Sequence, residues 1–164
     1  MNHRATILIL LVLAVGLAML GAPGARAQEA LAVIVNKQNS VESLTFDELR
    51  NYCLQESKHW DDNKRVTVVL RDPGQMEREA VLELIYHMSE SDFNRHFLKG
   101  QFTGEMQAIP KHLSTGVGVR RFVFNVPGAI GFVRASEVDA TTKVLRVNGY
   151  PPQDPNYPLR LASR

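Results

Sequence analysis

The chain has 164 residues, with 19 lysines and arginines against 17 aspartates and glutamates, and a formal net charge of +2. Arg4 and Arg26 carry that excess, so residues 28–164 are balanced, which removes the electrostatic case for nucleic acid or an anionic membrane surface. Cys53 is the single cysteine, which excludes an internal disulfide.

Asn2, His3 and Arg4 make a short basic start, and Ile7 to Leu20 is an apolar run. Pro23-Gly24 breaks it, and Ala25-Arg26-Ala27 has the small-x-small form of a cleavage site. Residues 1–27 therefore read as a secretory signal peptide, removed after Ala27. The run is shorter than the about 20 apolar residues a membrane span needs, so a periplasmic protein with no membrane insertion after cleavage is predicted. No cysteine follows the run to carry a lipid. Residues 28–164 are enough for one domain with its own core.

Leu31 to Val35 reads as a fully apolar strand, and Asn36 to Ser43 as a polar turn region. Thr45-Phe46-Asp47-Glu48 has the form of a capping box and opens a short helix burying Phe46, Leu49 and Cys53. A polar loop from Gln55 to Lys64 contains Trp60. Val66 to Leu70 is the second strand. Glu77 to Met88 is the strongest helix pattern, with Val81, Leu84, Ile85 and Met88 on one face.

Ser89 or Ser91 caps a further helix through about Leu98, with Phe93 and Phe97 inward. Gly100 to Pro110 reads as a loop. His112 to Asn125 is ambiguous: Gly116 and Gly118 weaken a helix, while Val119, Phe122, Val123 and Val126 favour one. Ala129 to Val133 and Lys143 to Val147 read as strands, and residues 148–164 form an extended, proline-rich tail.

Strands alternating with helices predict an α/β fold with a mixed or parallel sheet covered by helices. The predicted core includes Val33, Leu49, Val68, Leu70, Leu84, Ile85, Ile130 and Phe132. Phe122 and Phe124 are assigned to it as well.

The candidate site is the turn Arg71-Asp72-Pro73-Gly74. A strand that ends at an arginine and feeds a helix N-terminus offers free N–H groups, the helix dipole and a guanidinium to an anion. Arg71, Gly74, Gln75, Met76 and Glu77 are the candidate ligand-binding residues, with Thr103, Gly104 and Gln107 as nearby loop contacts. The structural alternative pairs Arg71 with Asp72 or Glu77, and Arg78 is expected to point elsewhere. His59, His87, His96 and His112 lack metal-ligand spacing, and no cofactor is implied. His112-Leu113-Ser114 has no nucleophile elbow, so no enzyme is expected.

Several blocks in order resemble the phosphate-type substrate-binding proteins of ABC transporters. They are Val33-Ile34-Val35-Asn36-Lys37, Leu44 to Arg50, Trp60, Pro127-Gly128-Ala129-Ile130-Gly131-Phe132-Val133, Val144 to Gly149, and Tyr157-Pro158-Leu159. The resemblance spans Leu31 to Leu159. It implies a periplasmic-binding-protein-like fold of type II, here as one lobe matching the family's second lobe. It also implies an exported solute-binding protein with a small phosphate-like anion as ligand.

Arg71 matches the family's arginine, but the Ser-Gly-Thr step that follows it in the family falls on Gln75, Met76 and Glu77. A carboxylate about 4 Å from a bound anion costs on the order of 4 kcal/mol at an effective dielectric near 20. Two readings follow: a weak anion binder, or an interaction and regulatory module without transport. The latter would dock an envelope protein or a second copy of the chain as a homo-oligomer.

Overall fold

The structure is a computed structural model and describes residues 28–106 and 108–162. The predicted leader, its predicted cleavage site and Gln107 lie outside the described residues.

Five strands form a mixed sheet: β1 (Leu31–Val35), β3 (Thr67–Arg71), β4 (Lys111–Leu113), β5 (Ala129–Arg134) and β6 (Lys143–Val144), in the order β4-β3-β5-β1-β6. β3 is parallel to β4 and β5, and β1 is antiparallel to β5 and β6. Both faces are covered, which is why β1 and the inner part of β5 are apolar without alternation. Val33, Leu70, Ile130 and Phe132 pack on one face, and Ile34, Val69 and Val133 on the other.

Among the described residues, four α-helices pack around the sheet: α1 (Phe46–Cys53), α2 (Met76–Val81), α3 (Glu90–Thr103) and α4 (Gly116–Asn125). In α1 the capping box forms as its sequence predicts. Thr45 Oγ1 accepts from Glu48 N–H at 3.2 Å, and Glu48 Oε2 accepts from Thr45 N–H at 2.7 Å. Cys53 is buried at its end, and burial pushes the thiol up to about 12. α4 packs so closely that a Cβ on Gly131 would lie 2.7 Å from Val119 Cγ1.

Several expectations are corrected. The helix predicted over Glu77 to Met88 is α2 followed by a π-helical turn, Leu82–Tyr86, which ends at His87 in the left-handed region (φ 54°). The wider turn rotates the buried face onto Leu82, Ile85 and Tyr86, leaving Leu84 only half-buried at the core edge. α3 runs past Leu98 to Thr103, because Gly100 lets Met106 fold back against the helix and Gly104 (φ 76°) supplies the left-handed stop. The ambiguous 112–125 stretch divides at Thr115, whose side chain accepts from Gly118 N–H and caps α4.

Phe124 is 54% exposed rather than core, and Phe122 is half-buried. Lys143 to Val147 is broken by Leu145. Its second part, β7 (Arg146–Val147), pairs in parallel with β2 (Ser43–Leu44) as a separate ribbon. Trp60 is buried, and its indole N–H donates to Gly128 O at 3.0 Å.

The proline-rich tail is irregular but packed. Leu31 N–H donates to Leu159 O, Leu161 N–H donates to Glu29 O, and the buried Tyr157 hydroxyl donates to Leu31 O at 2.9 Å. Among the described residues, no helix is long and apolar enough to cross a membrane.

Candidate functional site

Because β4, β3 and β5 are parallel, their carboxyl ends meet at one edge of the sheet. Ligands of open α/β sheets bind in the crevice outside such ends. Arg71 closes β3, Ser114 and Thr115 follow β4, and Arg134 closes β5. The chain leaves β3 through a tight turn in which Gln75 N–H donates to Asp72 O at 3.3 Å. Pro73 and Gly74 hold its centre, and Gly74 takes φ 82°, a value suited to glycine at the third position of a type II turn. Asp72 N–H donates to Leu113 O, tying the turn to β4, and α2 starts directly after it.

Arg71 is buried at this edge. Its Nη2 donates to Gln75 Oε1 at 3.1 Å and to Ser114 O at 2.9 Å, and its Nη1 lies 3.6 Å from Glu77 Oε1. The Nε of Arg71 is buried with no hydrogen-bond partner among the described residues. Glu77, 3% exposed, receives a second and closer guanidinium: Arg134 Nε donates to the same Oε1 at 2.6 Å.

Arg134 also reaches Glu29 Oε2 at 3.2 Å, and its Nη2 lies 3.5 Å from Met76 Sδ. Burial pushes the Glu77 carboxyl up. The Arg134 hydrogen bond, a backbone N–H and the charges of Arg134 and Arg71 outweigh that and hold it below the usual carboxylate range. The Glu77 hydrogen bond in turn raises the Arg134 pKa further.

A second carboxylate stands at the same edge. Glu137 Oε2 would lie 2.4 Å from a Cβ on Gly116, so it sits against the first residue of α4. Each helix opening on the crevice therefore has one of the chain's own carboxylates in its first turn or against its first residue.

Arg78 points elsewhere, toward Glu90. It is fully buried, with Nε and Nη2 each donating to a carboxylate oxygen of Glu90 at 2.8 Å and Nη1 donating to Arg71 O at 3.2 Å. Its guanidinium also lies over the Phe93 ring. His112, on β4 nearby, is held below the usual histidine range, by burial first and then by the charge of Arg78.

The structure thus brings Arg71, Gln75, Met76 and Glu77 together, with Gly74 shaping the turn before them. It does not bring Thr103 and Gly104 to them. Those residues end α3, whose opposite end holds Glu90, about 20 Å away at 1.5 Å per residue. There the Thr103 hydroxyl donates to Gly100 O, and Gly104 caps the helix.

The sequence reading missed Arg134, Glu29 and Glu137. Arg134 had a signal: it follows the apolar run Ala129 to Val133 just as Arg71 follows Val66 to Leu70. Glu137 had only its place three residues after Arg134, whose N–H donates to its Oε2 at 3.4 Å. Glu29 had none, since only the tertiary fold carries it to β5.

An arginine at the end of a parallel strand, a Pro-Gly turn and a helix start thus meet at the crevice of a mixed five-stranded sheet. This is the fold of part of a phosphate-binding protein. PstS from Borrelia burgdorferi superposes with a TM-score of 0.63 and 15% identity, over 81% of this chain and 55% of that one. An ABC-type phosphate transport receptor from Vibrio cholerae gives 0.62 and 17%, over 76% and 48%. A phosphate-bound structure from Clostridium perfringens gives 0.62 and 20%, over 76% and 47%. The chain spans about half the length of these solved structures. No family model matches it. At these identities the likeness is one of fold: an α/β chain the size of one lobe.

Proposed function

We propose that the chain is an exported solute-binding-like protein whose anion place, of the phosphate type, is closed by its own Glu77. One observation carries this reading: the guanidiniums of Arg71 and Arg134 converge on a single carboxylate oxygen at the carboxyl ends of parallel strands. Two cations on one oxygen beside a helix start are what an inorganic oxyanion needs. Free phosphate must compete with a carboxylate that is already in place, so affinity is weak. Gly74 and Gln75 shape the turn, Met76 and Glu77 supply the first-turn backbone N–H groups, and Arg71 supplies charge. Calorimetry of residues 28–164 with phosphate and sulfate tests it, comparing wild type with Glu77→Thr. If neither form binds either anion, the reading fails.

A second reading, an interaction module on the same fold, draws on the outer face of α4. Val117 and Phe124 are 53% and 54% exposed there, with the exposed Arg121 between them in sequence. A helix face with two large apolar groups and an arginine is of the kind that docks a protein. On this reading an envelope protein or a second copy covers α4. Phosphate has no effect on the chain.

A further inference from the structure

A different part of the molecule carries soft ligand chemistry. A cavity of about 410 Å³ lies between the end of α1, the middle of α3 and the segments on either side of α3, and Met88, His96 and Met106 all line it. The Nε2 of His96 is buried and has no hydrogen-bond partner among the described residues. An imidazole nitrogen left in that state loses a hydrogen bond that water would have supplied.

Met106 is held to the same face of α3. Its N–H donates to Gly100 O at 2.9 Å, and its Sδ would lie 2.7 Å from a Cβ on Gly100. Gly100 follows His96 by one helical turn, so imidazole and thioether share a face of the helix. The glycine is what admits the sulfur there.

The cations around the cavity are turned to backbone oxygens. Arg50 donates to Ile85 O at 3.0 Å, and Lys58 to Glu105 O at 3.2 Å. The rest of the lining holds two thioethers and one imidazole, with Leu54, Gln55 and the carboxylates of Glu56 and Glu105 beside them. Thioether and imidazole ligands select Cu(I), whereas Zn(II) is held by thiolate, imidazole and carboxylate. We propose that Met88, His96 and Met106 form a site for one soft monovalent cation, Cu(I), independent of the crevice at Arg71. The carboxylates alongside offset its charge.

The sequence provides an internal control. Between residues 28 and 164 the methionines are Met76, Met88 and Met106, and Met76 lies beside Arg134 instead. Residues 28–164 carrying 13C-methyl methionine are titrated with Ag(I), a redox-inert stand-in, and followed by NMR. The Met88 and Met106 methyl signals should shift and saturate at one equivalent, with Met76 unmoved. In parallel, the protein competes anaerobically with bicinchoninate for Cu(I). His96→Ala, and the packing-neutral pair Met88→Leu with Met106→Leu, should each weaken Cu(I) binding at least tenfold. Zn(II) should not displace Cu(I). The proposal is overturned if the three methyls respond alike, if none responds, if the variants keep wild-type affinity, or if Zn(II) competes as well as Cu(I).

Discussion

Arg134 donates from Nε to Glu77 Oε1 at 2.6 Å, across a sequence separation of 57. The bond joins the end of β5 to the first turn of α2, and Arg71 comes within 3.6 Å of the same oxygen from β3. A buried carboxylate between two guanidiniums is not an isolated charge, and its attraction offsets much of the desolvation that each group suffers. Three elements around the crevice are thereby tied through one side chain. Removing either arginine leaves Glu77 with a single guanidinium, and removing Glu77 leaves two cations facing each other.

This arrangement sets an acid-side dependence. Glu77 is held below the usual carboxylate range for the reasons given above, and Glu90 chiefly by its hydrogen bond from Arg78. A depressed folded-state pKa means that the unfolded chain binds protons first. The stabilisation is then complete above the unfolded value, about 4.3 for glutamate, and is lost as pH falls through the folded one. Urea midpoints should be flat above about pH 5.5 with respect to these groups and should fall below it. Glu77→Gln should flatten that fall, and an unchanged acid limb in the variant would show that Glu77 titrates as it does in the unfolded chain.

The π-helical turn after α2 predicts which of two neighbouring aliphatic residues matters. Ile85 is fully buried and Leu84 is half-buried. Ile85→Ala should destabilise by roughly 2–5 kcal/mol, the usual cost of truncating a buried aliphatic side chain. Leu84→Ala should cost about half as much or less, in line with the area it hides. Denaturation midpoints of the two variants check the order, and a larger loss at Leu84 would restore the straight helix that the sequence pattern suggests.

Gly128 gives a sharper steric test. A Cβ there would stand 2.0 Å from the backbone oxygen of Arg65, and Gly128 O also accepts the Trp60 indole N–H. Backbone has no rotamer to escape with, so Gly128→Ala should cost at least the about 1–3 kcal/mol of an overpacked core. Trp60→Phe should be milder, removing one hydrogen bond worth about 1 kcal/mol. Thermal midpoints and tryptophan-independent circular dichroism separate the two.

What the sequence made legible follows from how local the determining physics is. β1 and the α1 capping box were readable because their signals sit within five residues or fewer: a continuous apolar run, and a threonine with a glutamate three later. The π-helical turn was not. Val81, Leu84, Ile85 and Met88 fit a 3.6-residue period, and only packing against α1, including Tyr86 hydroxyl to Cys53 O at 3.0 Å, selects the wider turn.

The extension of α3 was hidden because Phe102, 84% exposed, gives no inward face to read. At the crevice, Arg71 and Glu77 were visible as a strand end and a helix start. Arg134 was visible only as a strand end, since the sheet order that brings β5 beside β3 is a tertiary fact.

Export is the prediction that rests on sequence alone. If the apolar run and Ala25-Arg26-Ala27 direct secretion, protein recovered from the envelope should begin at Gln28. Edman sequencing or intact mass decides it, and a chain beginning at Met1 would refute the leader reading. Its consequence for the fold is concrete: Glu29, one residue after the new terminus, holds Arg134 and accepts a hydrogen bond from Ser136, so cleavage a few residues further on would release Arg134 from one of its two carboxylates.

The strongest test of the crevice is the exchange of its built-in anion for an added one. In wild type, phosphate must displace Glu77 from Arg134 and Arg71 or bind beside it, where like charges about 4 Å apart cost on the order of 4 kcal/mol. Wild-type affinity should therefore be no tighter than about millimolar, equivalent to roughly 4 kcal/mol of binding free energy. Glu77→Thr removes the carboxylate, frees both guanidiniums and places a hydroxyl in the first turn of α2. Phosphate should then bind at least tenfold more tightly, and added phosphate should raise the melting temperature of the variant by more than that of wild type. Arg71→Ala or Arg134→Ala in the Glu77→Thr background should each remove most of the gain, because one guanidinium and a few N–H groups remain. A melting curve taken without phosphate checks that the variant folds. If folded Glu77→Thr shows no phosphate response, the two arginines serve the fold alone, and the exposed face of α4 becomes the place to look for function. Micromolar binding by wild type would instead mean that Glu77 swings out of the crevice and that the bond to Arg134 opens when ligand arrives.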